Sequence, residues 1–359
     1  ALERIRTALA APPETPTGPR RLRVADVPES SIGAALQAIS EQTGHPIDTT
    51  ALGRPTLALS TSNLSESFPD RTATATFWEA INVVADGRFA VDGVRDGTVV
   101  LTESRPPPAA VAASGSFRVE IDPAVIRPGF GAAGSLIRVP VRVLAEPGVE
   151  PLSIRPVENG LVVRSGDFPL PAFSPDASPE FGFVNGTATF HSDRQAATGP
   201  VADLTVGGEF EVTTLPGSRT FTFPATAAGR SRQADGTTVR LDRVRKERDE
   251  LSVSAAILFD ATAGGSAFES YQTWRYAVGL KFIGADGETR EPAAPPEVSA
   301  EGAAAVAARA RFALPAEASI KDGTIEVTAP ASPRNQTLRF GPLTVPVGTT
   351  RDRNLSDPP

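Results

Sequence analysis

The feature that most constrains the fold is an alternation of apolar and polar residues with period two, which runs through the chain beyond residue 116. In SLIRVPVRVLA, Ile137, Val139, Val141 and Val143 share one face, while Arg138 and Arg142 share the other. Phe117, Val119 and Ile121 alternate with Arg118 and Glu120 in the same way. So do Leu251, Val253, Ala255, Ile257 and Phe259 of LSVSAAILF. In WRYAVGLKF the pattern assigns Trp274, Tyr276, Val278, Leu280 and Phe282 to one face, opposite Arg275 and Lys281. Successive side chains of a strand point to opposite sides, whereas a helix repeats every 3.6 residues, so these runs are half-buried strands. With turns at short intervals they predict antiparallel β-sandwiches rather than a parallel sheet. Pro140 interrupts one run and has no N–H to donate, which predicts an edge strand or a bulge there.

The segment GEFEVTTLPGSRTFTF (208–223) resembles GTIEVTAPASPRNQTLRF (323–340): Gly, a shared Glu-Val-Thr, a Pro-containing loop and a strand ending in Phe. Strand starts at FRVEI and TVRLDRV stand a similar distance before each copy. This predicts two consecutive sandwiches, 117–224 and 236–347, and a C-terminal tail at 348–359. RLDRVRKERDE (240–250) mixes both charge signs, as an exposed hairpin does. EGAAAVAARARFALP (301–315) fits either a short helix or a small-residue strand.

The N-terminal part reads differently. Residues 1–21 form a Pro/Thr-rich tail or linker. In RVADVPESSIGAALQAISEQTGHPIDTT (23–50) a strand leads into a helix capped by Ser30 or Ser31. Its apolar stripe is Ile32, Ala35, Leu36 and Ile39, and it ends at Gly44. A second unit follows, with strand TLALSTSNLS (56–65). Its helix opens with the Thr76/Glu79 capping-box spacing, carries Phe77, Ala80, Ile81 and Val84, and ends at Gly87. Asp96-Gly97 marks a closing hairpin. The expected fold class is therefore mainly β with one α+β domain: a βαβ-βαββ unit at 22–104, a Pro/Ala linker at 105–116, then the two sandwiches.

Composition removes several functions. The formal charge of −7 disfavours nucleic acid as a partner, because phosphate binding needs a clustered basic surface. No run of 18 apolar residues exists to cross a membrane as a helix. With no Cys, the chain has no disulfide, thiol nucleophile or thiolate metal site. The two histidines, His45 and His191, are too few for a His-based zinc site in either domain. His45 follows a helix C-terminus, where partial positive charge is favourable. In His191-Ser192-Asp193, strand neighbours point to opposite faces, so the three are not a triad. No Gly-rich loop opens a helix. No catalytic, cofactor or metal residues are expected, and no enzyme. Four Asn-x-Ser/Thr sequons, at Asn63, Asn185, Asn335 and Asn354, are the candidate glycan acceptors. An Ala1 start and the absence of Met fit a chain processed by signal peptidase, which predicts an extracytoplasmic location.

On RVADVPESSIGAALQAISEQTGHPI, TLALSTSNLS and FWEAINVVADGRFAVDGVRDGTVVLTES, residues 22–103 resemble the secretin and TonB N-terminal short domain. In that family the domain sits at the periplasmic end of secretin rings, or on TonB-dependent receptors where it contacts a regulator. Here sandwiches similar to those of uncharacterised bacterial envelope proteins follow instead of a barrel. The resemblance implies protein–protein contact in the envelope. The expected function is a non-enzymatic structural protein of the cell envelope or surface, a homo-oligomer forming a ring, layer or fibre through its small domain and sheet edges. The alternative is a periplasmic binding or signalling module that docks another protein through the small domain.

Overall fold

In this computed structural model the described residues are 19–28, 31–53, 74–128, 135–173, 180–195, 203–260, 275–302 and 304–348. The strand expected at 56–65, the aromatic Trp274, Asn63, Asn354 and most of both tails lie outside them. The chain is mainly β, with two α-helices among the described residues, and it divides into two compact units: 1–212 with 336–359, and 213–335.

The first unit opens with β1 (Arg21–Arg23), α1 (Ile32–Thr43), β2 (Ile47–Ala51), β3 (Thr74–Thr76), α2 (Phe77–Ala85), β4 (Ala90–Arg95) and β5 (Thr98–Thr102). Ser31 caps α1 by accepting from the Ala34 N–H at 3.1 Å, and Gly44 ends it at φ 73°. Thr76 and Glu79 make the reciprocal capping box of α2. Each such cap is worth about 1 kcal/mol. Both apolar stripes are buried in one core with Leu22, Trp78, Val91, Val99 and Leu101. β1 pairs with β3, while β2 runs parallel to β5, which pairs with β4. Asp96 and Gly97 take φ 49° and 75°, the left-handed pair that a two-residue hairpin demands.

Next come β6 (Ala110–Ser114), β7 (Phe117–Ile121), β8 (Ala124–Pro128), β9 (Ser135–Ala145), β10 (Glu150–Ser165), β11 (Phe168–Pro169), β12 (Phe181–Gly182), β13 (Thr187–Gln195) and β14 (Asp203–Leu215). The linker expected at 105–116 is partly a strand: β6 pairs with β7 along its whole length, turned back by Gly115 at φ 58°. Small side chains let β6 lie there half-buried.

Pro140 is on neither an edge nor a bulge, because β9 is flanked by β13 on one side and by β7 and β8 on the other. Its carbonyl accepts from the Asp122 N–H, where the chain passes from β7 to β8. The missing N–H of Pro140 points to that same gap, so no ladder bond to β13 is lost.

The second unit holds β15 (Ser218–Pro224), β16 (Ser231–Ala234), β17 (Thr237–Glu247), β18 (Glu250–Phe259), β19 (Gly279–Ile283), β20 (Thr289–Arg290), β21 (Glu297–Ala300), β22 (Ala305–Ala313) and β23 (Thr324–Pro330). Two sheets, β15-β23-β19-β20 and β16-β17-β18-β22-β21, enclose Phe223, Leu241, Val253, Phe282, Phe312 and Val327. The small-residue segment is a strand, β22, with Ala308, Ala310 and Phe312 inward and Arg309 and Arg311 outward. The charged run is the β17–β18 hairpin, laced by Arg240–Asp242 and Arg245–Glu247. Tyr276 does not share the buried face of Leu280 and Phe282. The strand begins only at Gly279, a helical turn precedes it, and Tyr276 is 41% exposed.

The last strand, β24 (Arg334–Gly348), departs from the consecutive layout. From Gln336 onward it belongs to the first unit, lying between β14 and β8 and pairing in parallel with Ala124 and Val125. Residues 213–335 are thus inserted between two neighbouring strands of the first unit's sheet.

Candidate protein-interaction surface

The charged side chains of β7 face away from its apolar core, as the alternation requires, yet they are buried. Arg118 and Glu120 are each 1% exposed. Glu120 accepts from Arg118 Nε at 3.0 Å and from Arg105 Nη1 and Arg142 Nη1 at 3.2 Å each. Arg105 also reaches Asp122 at 3.2 Å, and Arg142 donates to the carbonyls of Val91 and Asp92. Arg118 lies over the Trp78 ring at 5.9 Å, and Trp78 Nε1 donates to the Ser116 carbonyl. Burial lowers the pKa of the Arg118 and Arg142 guanidinium groups, and the charge of Glu120 opposes this. At the same seam His45 Nε2 is 2.8 Å from Glu146 Oε1, which also accepts from the Arg20 backbone N–H. Asn82 Oδ1, Ser116 Oγ, Arg118 Nη1 and Glu146 Oε2 are buried there without partners. These groups fasten α2 and β4 onto β7 and β9. Each charge is engaged by an internal partner, and the set is not arranged around a reacting centre.

His191 Nε2 stands 3.9 Å from Asp193 Oδ2, two residues on along the same face. Ser192 points the other way, its Oγ accepting from Arg194 Nε at 3.0 Å. Asp193 is instead held by both Nε and Nη2 of Arg138 at 2.8 Å. Among the described residues no group of acidic or His side chains could hold a metal ion.

The feature with room for a partner is a groove of about 560 Å³ on the outer face of β10, β14 and β24. Its floor is Gly160, Gly207, Gly208, Gly341 and the edge of Phe340, and Val157 and Val162 stand on the β10 side. Glycine is required here. Gly341 has φ 87°, and a Cβ on it would lie 2.6 Å from Gly207 Cα, while one on Gly208 would lie 2.8 Å from the Phe210 ring. The trench follows directly from this close approach of backbones. Arg164, Glu209 and Arg339 make the rim, with Glu209 and Arg339 paired at 2.9 Å. Arg155 and Glu211 pair at 2.5 Å beside it, in a hollow that Glu180 also lines. Of the seven large apolar side chains exposed among the described residues, five (Val157, Val162, Phe168, Phe173 and Val184) fall between 157 and 184.

Of the sequons, Asn185 is exposed at φ 49° in the turn before β13, in the first unit. Asn335 is exposed in the second unit, its Oδ1 accepting from Thr213 Oγ1 at 3.1 Å. Neither is part of the groove. Sequence reasoning missed the groove because its glycines come from three distant strands. The only available signals were Gly207-Gly208 and Gly341-Pro342 inside otherwise regular strand patterns.

No family model matches the chain. No curated protein matches it either. Among solved structures, the crystal structure of a conserved domain protein from Bacillus anthracis aligns with 67% of this chain and 90% of that chain, at 9% identity. The TM-score of 0.20 is too low to carry any statement about fold or role.

Proposed function

We propose that the chain is a non-enzymatic structural protein of the bacterial envelope or surface that associates with copies of itself. In this reading an α+β domain of the secretin and TonB N-terminal short type is fastened to β-sandwich modules in an extracytoplasmic subunit. The observation that carries it is the glycine-floored groove, an exposed patch with the apolar side chains of Val157 and Val162 on its β10 side. Monomeric soluble proteins keep such patches small, and a larger one marks an association site. The commitment of the buried charges to internal pairs supports the non-enzymatic part. No helix of the described residues is long and apolar enough to cross a membrane, so association through protein surfaces is the proposed route to assembly.

Cell fractionation followed by electron microscopy of native envelope material tests this. The expected result is the chain in the envelope fraction, within an ordered assembly. Recovery as a dispersed cytoplasmic monomer would overturn it, and a stable one-to-one complex with a different protein would favour the docking-module alternative.

A further inference from the structure

We propose that β15 is where two copies of this chain join, strand against strand and antiparallel about a two-fold axis at Thr220, so that their β15-β23-β19-β20 sheets become continuous. This rests on the self-association reading above and names a surface, separate from the groove, that performs it.

β15 ends its sheet, and its register with β23 runs unbroken from Ser218 to Pro224. The Ala331 N–H donates to the Gly217 carbonyl and the Ala225 N–H to the Gly323 carbonyl, each at 2.8 Å. In an antiparallel ladder the residues that bond to one neighbour alternate with those that face away. Gly217, Arg219, Phe221, Phe223 and Ala225 therefore bond to β23, and Ser218, Thr220 and Thr222 turn their N–H and C=O groups outward. Among the described residues these groups meet no partner, apart from a 3.4 Å contact of Arg219 Nη1 with the Ser218 carbonyl. Natural edges are guarded by shortness, bulges or charge. β15 is seven residues long and has no bulge, and its one charged side chain, Arg219, is engaged by Asp235.

The other sheet ends are closed. β1, β3, β11, β12, β16, β20 and β21 are each four residues or shorter. β2 pairs irregularly between Asp48 and Ala51, and the Val91 and Asp92 carbonyls of β4 accept from Arg142. β6 is half-buried throughout and packs on α2. β13 is long, but its outer edge is occupied at both ends. Phe173 N–H bonds to the Asp193 carbonyl, Gln195 N–H to the Pro171 carbonyl, and Val184 exchanges bonds with Thr187.

The outward groups of β15 are arranged symmetrically, which argues for a second copy as the occupant. Pro216 and Pro224 have no N–H to donate and stand four positions to either side of Thr220. The Pro224 carbonyl is already taken by the Ala227 N–H. An axis at Thr220 sets Thr220 against the partner's Thr220 and Ser218 against the partner's Thr222, so every outward N–H meets a carbonyl. An axis one residue earlier would oppose Thr222 to Pro216 and Arg219 to itself. One residue later, it would oppose Ser218 to Pro224. On the outer face Thr220 Oγ1 already lies 3.1 Å from Thr328 Oγ1. The axis at Thr220 continues this ladder through the partner's Thr220 to the partner's Thr328, and such cross-strand Thr pairs are favourable. A foreign strand has no use for this symmetry, whereas an isologous contact requires it.

Two substitutions in the full chain test the contact by sedimentation equilibrium, with circular dichroism to confirm folding. Thr220→Pro removes an N–H that points away from β23, a place where an edge strand tolerates proline. Thr220→Lys opposes two like charges at the axis. Each should weaken self-association by about tenfold or more. Single cysteines test the register, since the chain has no Cys of its own. Thr220→Cys alone should form a reducible dimer on mild oxidation, because opposed Cα atoms of a bonded pair are about 5.5 Å apart. Ser218→Cys alone should not, its copies being offset by about 13 Å along the strands, but mixed with Thr222→Cys it should cross-link. If the parent self-associates but either folded Thr220 variant associates as tightly, or Thr220→Cys cross-links no faster than Ser218→Cys, β15 is not the interface and the self-association reading survives. If the parent is monomeric throughout, that reading falls, and this inference falls with it.

Discussion

His45 Nε2 lies 2.8 Å from Glu146 Oε1, a contact between residues 101 positions apart that are 8% and 2% exposed. It ties the residue after the glycine cap of α1 to the end of β9, and the Phe77 ring packs edge-on against the imidazole at 5.1 Å. Replacing His45 with Ala leaves a buried carboxylate with the Arg20 N–H as its remaining bond, and opens space against Phe77. The expected loss is about 2–4 kcal/mol, read from the urea midpoint at unchanged slope. A midpoint equal to that of the parent would show that the contact does not secure α1.

Glu120 is the larger commitment. Its carboxylate is in contact with three guanidinium groups, and Arg118 beside it has a side chain only 2% exposed. Removing a buried partner strands the remaining charge, so Glu120→Ala should cost about 3–5 kcal/mol. Arg245→Ala, at a pair whose side chains are 57% and 61% exposed, should leave the unfolding midpoint unchanged. Equal effects of the two substitutions would contradict this ranking.

The paired N–H groups of Arg138 hold the Asp193 carboxyl below its ordinary value, with its partial burial working the other way. A carboxyl depressed in the folded state contributes stability above its unfolded pKa of about 3.9, and that stability is lost as pH falls through the folded value. Asp193→Asn should therefore be less stable than the parent at neutral pH, and the difference should close as the solution is acidified below the ordinary aspartate range. Denaturant titrations at neutral and strongly acidic pH check this. A difference independent of pH would assign the effect to packing.

At the groove, Gly341→Ala places a methyl group 2.6 Å from both Gly207 Cα and the Val206 carbonyl oxygen, at φ 87°. Left-handed strain and overpacking each cost about 1–3 kcal/mol, so a loss of at least about 2 kcal/mol is expected in thermal unfolding. Gly44→Ala also meets φ 73°, but no atom lies within 4 Å, so its loss should be the smaller of the two.

The parts of this fold legible in the sequence are those set by local chemistry. Ser31, Gly44, the Thr76–Glu79 box and Asp96-Gly97 act on backbone groups a few residues away, and they sit where the sequence places them. The apolar face of each alternating strand is legible for the same reason. What the opposite face meets is not. Arg118 and Glu120 have the pattern of a solvated face, and only the packing of α2 against β7 turns them into a buried cluster. Alternation likewise identifies β24 as a strand without saying which sheet receives it. The groove depends on Gly207 of β14 meeting Gly341 of β24, a pairing of residues separated by the whole second unit.

The most direct measurement is sedimentation velocity of the purified full chain over roughly a hundredfold range of concentration, since association by mass action must show as a concentration-dependent mass. The account predicts a shift from the 37.4 kDa monomer to a dimer or a larger symmetric assembly as concentration rises. A single monomeric species throughout would contradict it.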